Sequence, residues 1–161
     1  MVKSVLKLLL EGEAVDAASM ATILGVGEDQ VREALKQLER EKVLLGWRPV
    51  INPKAAAEDE VQALIEVSIA PEREGGFNRM AERIARFDQV VTCYLMSGGY
   101  DLMVVVRGPN LLSVATFVSE KLAVLEGVKS TATRFMLRCY KVEGFFPNGD
   151  ADPADKPSVS P

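Results

Sequence analysis

Apolar positions keep a helical rhythm over residues 2–42 and change to strand-like alternation from residue 61. Val2, Val5, Leu6, Leu9 and Leu10 form the stripe of a first helix over 2–11. Gly12 stands just past its end, where a left-handed cap favours glycine. Asp16 suits the N-cap of a short second helix over 17–24, whose Met20, Ile23 and Leu24 face the first. Gly25-Val26-Gly27 then breaks the chain. A third helix over 28–42 turns Val31, Ala34, Leu35 and Leu38 inward, with a length of about 22 Å at the helical rise. Its other side carries Gln30, Arg32, Glu33, Lys36, Gln37 and Arg40. Residues 43–48 read as a strand or β-wing. Two helices joined by a short glycine turn, the second polar outside, describe a winged helix-turn-helix. Taken alone, the segment also suits an ordinary helical hairpin.

Pro49, Asn52 and Pro53 interrupt regular structure, and 54–60 is polar and alanine-rich. Residues 49–60 therefore read as a linker behind a first domain at 1–48. Beyond it, Val61, Ala63, Ile65, Val67 and Ile69 alternate with Gln62, Leu64, Glu66 and Ser68 as a half-buried strand does. A helix over 74–87 follows, with Phe77, Met80, Ala81 and Ile84 inward. Strands at 90–97 and 100–107 are hinged at Gly98-Gly99, a dipeptide suited to a hairpin. Asn110 opens a second helix over 110–125, Gly127 stops it, and 130–142 forms the last strand. The order β-α-β-β-α-β predicts a ferredoxin-like domain at 61–146, a sheet with helices on one face. The fold class is thus α+β. The second sheet face would show Thr92, Tyr94, Met96 or their neighbours, few of them charged, which predicts sheet-to-sheet dimers. Residues 147–161, rich in Asp, Pro and Ser, read as a disordered tail.

Composition narrows the chemistry. Apolar residues make up 48% of the 161, enough for packed cores. The chain has no histidine, and Cys93 and Cys139 lack CxxC spacing, so no metal or cofactor is predicted. Both cysteines fall in apolar strand patterns and read as reduced thiols. With no signal peptide and no run of 18 apolar residues, a cytoplasmic location without a membrane partner is expected. Net charge is −4: residues 1–53 hold seven basic against eight acidic side chains, and 54–147 hold eleven against twelve. Duplex-binding domains are normally basic, because phosphate neutralisation supplies most non-specific affinity, and this one is not.

Two stretches, LEREKVLLGWRPVINP at 38–53 and SGGYDLMVVVRG at 97–108, stand in an order that resembles the Lrp/AsnC, or feast/famine, transcriptional regulators. Leu38-Glu39-Arg40, residues 43–47 and Asn52-Pro53 match the family's helix end, wing and Asn-Pro. Gly98-Gly99-Tyr100-Asp101 matches its hairpin motif, and Gly127-Val128 its glycine-valine before the last strand. The resemblance covers about residues 1–146. It implies dimers assembling into octamers, an effector pocket between effector domains, and amino acids as common ligands. The chain departs from the family pattern at Gly27-Glu28-Asp29, where Ser/Thr-rich residues usually open the recognition helix, and at Glu33, where a basic residue is expected.

Double-stranded DNA is the expected partner, with Arg32, Lys36 and Arg40 contacting it, Gln30 and Gln37 reading base edges, and Arg48 reaching phosphate. The plainer reading of that face is a solvated surface with i,i+4 pairing. For the effector, Gly98, Gly99, Tyr100 and Asp101 offer backbone N–H groups to a carboxylate and Asp101 to an ammonium, with Thr131 and Thr133 added by a neighbouring subunit. The plainer reading there is a turn followed by β-prone residues. The leading expectation is a sequence-specific regulator whose oligomer responds to a small molecule, an amino acid. Two alternatives stand: a ligand sensor of the same fold with weak or no DNA binding, and an enzyme akin to the siroheme decarboxylases. The latter resemble this architecture but rely on histidine, which this chain lacks, so no catalytic residue is predicted.

Overall fold

The computed structural model describes residues 1–56, 60–71 and 76–149. The chain divides into two compact units, Met1–Pro49 and Val50–Pro161. The first holds α1 (Val2–Glu11), α2 (Ala17–Leu24) and α3 (Glu28–Arg40), with α1 and α2 both packed on α3. Val5, Met20, Val31 and Leu38 are the closed centre of its core. Each helix end has a local cause. Gly12 and Gly25 take left-handed φ values of 69° and 66°, closing α1 and α2, and the Asp16 carboxylate accepts the Ser19 N–H at 2.8 Å to open α2. Gly27 opens α3 with no side-chain cap, and Glu28 and Asp29 face the positive end of the helix dipole instead.

The wing expected at 43–48 forms no strand among the described residues. Its ladder would need a second strand within reach, and none of the described residues of this unit supplies one. Lys42 turns at φ 57°, and the chain beyond it runs open, with Leu45 and Trp47 exposed.

In the second unit a short helix α4 (Pro53–Ala56) is followed by β1 (Val61–Ile69), α5 (Asn78–Ala85), β2 (Val90–Leu95), β3 (Leu102–Gly108), α6 (Leu111–Phe117) and β4 (Val128–Phe135). The four strands form an antiparallel sheet in the order β2-β3-β1-β4, the ferredoxin-like arrangement. Alternation in β1 and β3 sends Ala63, Ile65, Val67, Leu102, Val104 and Val106 toward the helices, all fully buried. Burying one such side chain contributes about 1.5–3 kcal/mol, so this face fixes the strand register. Phe87 and Phe117 meet edge to face with centroids 5.4 Å apart between the helices.

Elements end differently from the sequence pattern in three places. The helix expected over 110–125 is α-helical only to Phe117 and widens to a π turn at Val118–Leu122, which brings Val118 and Leu122 into the core. The strands expected to meet at Gly98-Gly99 stop at Leu95 and Leu102, where the Met96 N–H donates to the Asp101 carbonyl at 2.8 Å. The last strand stops at Phe135. Past it, a two-residue turn at Glu143-Gly144, both left-handed, closes a small hairpin between Val142 and Phe145. The helix expected over 74–87 is described from Asn78 to Ala85, and 72–75 lies outside the described residues. So do 150–161 of the expected tail.

Candidate nucleic-acid interface and effector loop

Helix α3 buries Val31, Ala34 and Leu38 and turns the rest outward. At about 100° per residue, Arg32, Lys36 and Arg40 fall on the side opposite that stripe, all three exposed. Gln30 and Gln37 sit nearer its flank, Gln37 half-buried. Two of the three cations are already engaged: Arg32 with Glu28 one turn before it, and Arg40 with Glu33, Nη2 to Oε1 3.0 Å. Gln37 Nε2 donates to Glu41 Oε1 at 2.8 Å. The side chains of Gln30, Lys36 and Arg48 make no hydrogen bond or ion pair among the described residues. The acidic partners were missing from the sequence-based site. Glu28 to Arg32 was legible as an i,i+4 pair, whereas Glu33 reaches Arg40 across two turns, beyond the usual pairing distance.

The loop between β2 and β3 gathers four of the six expected effector residues. Ser97, Gly98 and Gly99 are exposed, with Gly98 at φ 129°, while Tyr100 and Asp101 are half-buried. Asp101 is tied to β1 twice: its N–H donates to the Val67 carbonyl at 3.0 Å, and its Oδ2 accepts the Ile69 N–H at 2.8 Å. That second bond falls where the β1–β4 register shifts, at Ser68/Ile69, so the carboxylate closes a break in the ladder. Thr131 and Thr133 do not join this loop within one subunit. They pair with Val67 and Ile65, whose side chains point into the core, so both threonines lie on the helix-covered side. The strand β1 separates Thr131 from Asp101, about 10 Å at two strand spacings.

On the open side of the sheet, Tyr94 stands opposite Met103 and Thr92 opposite Val105, and Leu64 lies beside them on β1. One edge of this apolar patch is closed by a bidentate pair, Arg134 Nε to Glu66 Oε1 at 2.7 Å and Nη2 to Oε2 at 3.0 Å. That bond holds the Glu66 carboxyl below the usual carboxylate range and raises the Arg134 guanidinium, with Tyr100 adding a smaller pull. On the helix side, burial pushes the Cys93 thiol up, so it stays protonated. A groove of roughly 890 Å³ lies along α5 between Arg79, Arg83, Arg86 and Glu126; it includes none of the expected effector residues. Among the described residues, no helix is long and apolar enough to cross a membrane.

Comparison with known proteins extends this geometry. Residues 62–144 match the Lrp/AsnC ligand binding domain. The HTH-type transcriptional regulator YugG of Bacillus subtilis is 41% identical over 150 residues, covering 92% of this chain and 90% of its own. The proline dehydrogenase transcriptional activator of Rhizobium radiobacter is 24% identical, over 86% and 89%. Among solved structures, AsnC of E. coli superposes with a TM-score of 0.64 at 17% identity, over 89% of this chain and 95% of its own. A transcriptional regulator of Neisseria meningitidis in complex with L-Met gives the same score at 20% identity, over 89% and 93%. These matches span both the helix-turn-helix unit and the sheet domain, and the chain belongs to the Lrp/AsnC family of transcriptional regulators.

Proposed function

We propose that this chain reads specific duplex sites with α3 and that its self-associated form answers to an amino acid. The observation that carries the reading is the placement of α3: second helix of the helix-turn-helix, core stripe buried, Arg32, Lys36 and Arg40 outward. The YugG relative bears the name of an HTH-type regulator, and the Neisseria neighbour was solved with L-Met. A regulator of this kind acts in the cytoplasm. The patch of Leu64, Tyr94, Met103 and Val105 supports pairing with a second copy, sheet against sheet, and further assembly toward an octamer. Such a dimer would present two α3 helices about 34 Å apart, one helical turn of DNA. Gly98, Gly99, Tyr100 and Asp101 then hold the effector, with Thr131 and Thr133, which face the helix-covered side, contributed by a subunit of a neighbouring dimer rather than across the paired sheets. Effector binding changes how dimers associate, a coupling between sites rather than a chemical step.

One observation favours the second reading, a sensor with little DNA binding: both arginines of α3 are engaged by carboxylates of their own helix. Selection from a random duplex library separates the two. A regulator enriches one motif and binds it with a steep salt dependence, whereas a pure sensor enriches nothing. A thermal-shift screen over the twenty amino acids tests the effector, and the reading fails if none stabilises the protein.

A further inference from the structure

Glu28 engages Arg32, and Glu33 engages Arg40, on the face of α3 turned away from the core. Asp29 and Lys36 lie between them at the centre of that face, both exposed. Over Glu28–Arg40 the helix carries three cations against four carboxylates. A helix built only to grip phosphate would leave its arginines free. Here each arginine already shares its guanidinium fork with a carboxylate of its own helix.

We propose that Glu28 and Glu33 are specificity-determining residues, holding Arg32 and Arg40 back from duplexes that offer phosphate alone; this rests on the DNA-reading function proposed above. On an arbitrary sequence the exchange is one exposed ion pair for another, which gains little, and it strands a carboxylate beside phosphate. A cognate site offers more. Guanine O6 and N7 accept the guanidinium fork bidentately, and a released carboxylate can accept the N4–H of cytosine. The penalty therefore falls on wrong sequences more heavily than on the right one.

Glu28→Gln and Glu33→Gln in the full chain test this, with fluorescence anisotropy on a short duplex of arbitrary sequence over a salt series. Glutamine keeps the length and helical preference while removing the charge. Each substitution frees one phosphate contact, steepening the log K against log salt slope by about 0.9, or about eightfold tighter binding at 0.1 M salt. Glu11→Gln makes the same change in net charge on α1, where Glu11 faces Lys7 at 3.6 Å, and leaves binding near wild type. The gain from Glu28→Gln shrinks in an Arg32→Ala background to the relief of a carboxylate beside phosphate, as does that from Glu33→Gln with Arg40→Ala. For the motif that wild type enriches, affinity rises less than for the arbitrary duplex, so their ratio falls. The proposal is overturned if the glutamine variants match Glu11→Gln, or if their gain is undiminished by loss of the arginine. A wild type that enriches no motif sinks the DNA-reading function itself, whereas an enriched motif with unresponsive glutamine variants sinks this inference alone.

Discussion

Asp101 does two jobs that one pair of substitutions pulls apart. Its Oδ2 accepts the half-buried Ile69 N–H at 2.8 Å, and its charge is the proposed partner of an effector ammonium. A hydrogen bond to a charged acceptor contributes about 1.5–3 kcal/mol, and a neutral one about 1. Asp101→Ala leaves the Ile69 N–H without an acceptor. At roughly 4 °C per kcal/mol for a unit of this size, the midpoint of its unfolding falls by about 6–12 °C. Asp101→Asn keeps an acceptor and loses only the charge, so it costs about 0.5–2 kcal/mol and its midpoint falls by about 2–8 °C, about 4 °C less than for alanine. The effector arm reads differently. An amino acid at about 100 times its Kd stabilises wild type by about 2.7 kcal/mol, and Asp101→Asn loses most of that although its fold stands. Scanning fluorimetry of the three proteins, with and without the amino acid that stabilises wild type, measures all of this. Equal midpoints for the alanine and asparagine variants would refute the structural role. A full ligand shift in Asp101→Asn would refute the ammonium role and leave the structural one intact.

Further outcomes follow from single contacts. Leu38, 1% exposed at the centre of the first unit, becomes a cavity in Leu38→Ala at a cost of about 2–5 kcal/mol. A unit this small holds only about 2–7 kcal/mol in total, so circular dichroism should show helical signal lost at low temperature while the sheet unit unfolds near its wild-type midpoint. Arg134 lowers the Glu66 carboxyl, so this pair stabilises the fold above the ordinary glutamate range and is lost as pH falls through the depressed value. Glu66→Gln should therefore cost a little stability at neutral pH, and in urea titrations the two proteins should converge as pH falls through that window, where wild type loses the pair as well. Tyr94→Glu places a charge on the open sheet face, opposite Met103, and sedimentation should show smaller assemblies at equal concentration. Unchanged sedimentation would remove that face from the interface.

Much of the fold could be read from spacing, because the signals were local. Gly12, Asp16 and Gly25 mark helix ends by backbone conformation and capping, and the strict alternation of β1 marks a buried face. What escaped depended on partners distant in sequence. Residues 43–48 carry β-prone side chains but have no neighbouring strand among the described residues of their unit, and propensity without a ladder makes no strand. The π turn at Val118–Leu122 keeps the apolar rhythm of an α-helix and widens to seat Leu122. For the site, α3 could be oriented from its stripe, and so Arg32, Lys36 and Arg40 were assigned to its outer face, where the structure has them exposed. The Glu28–Arg32 pair has the ordinary i,i+4 spacing, but the Glu33–Arg40 pair escaped, since it spans two turns. The threonines illustrate parity: Thr131 and Thr133 were chosen by type, and only the register with Val67 and Ile65 assigns them to the covered side.

Chemical footprinting of lysines on the full chain, saturated with the duplex that wild type enriches, tests the central claim most directly. Lys36 stands exposed at the middle of the outer face of α3, while Lys121 and Lys129 stand exposed on the sheet unit. The account predicts that DNA shields Lys36 from acylation and leaves Lys121 and Lys129 as reactive as before. A Lys36 that stays fully reactive in the saturated complex would contradict it.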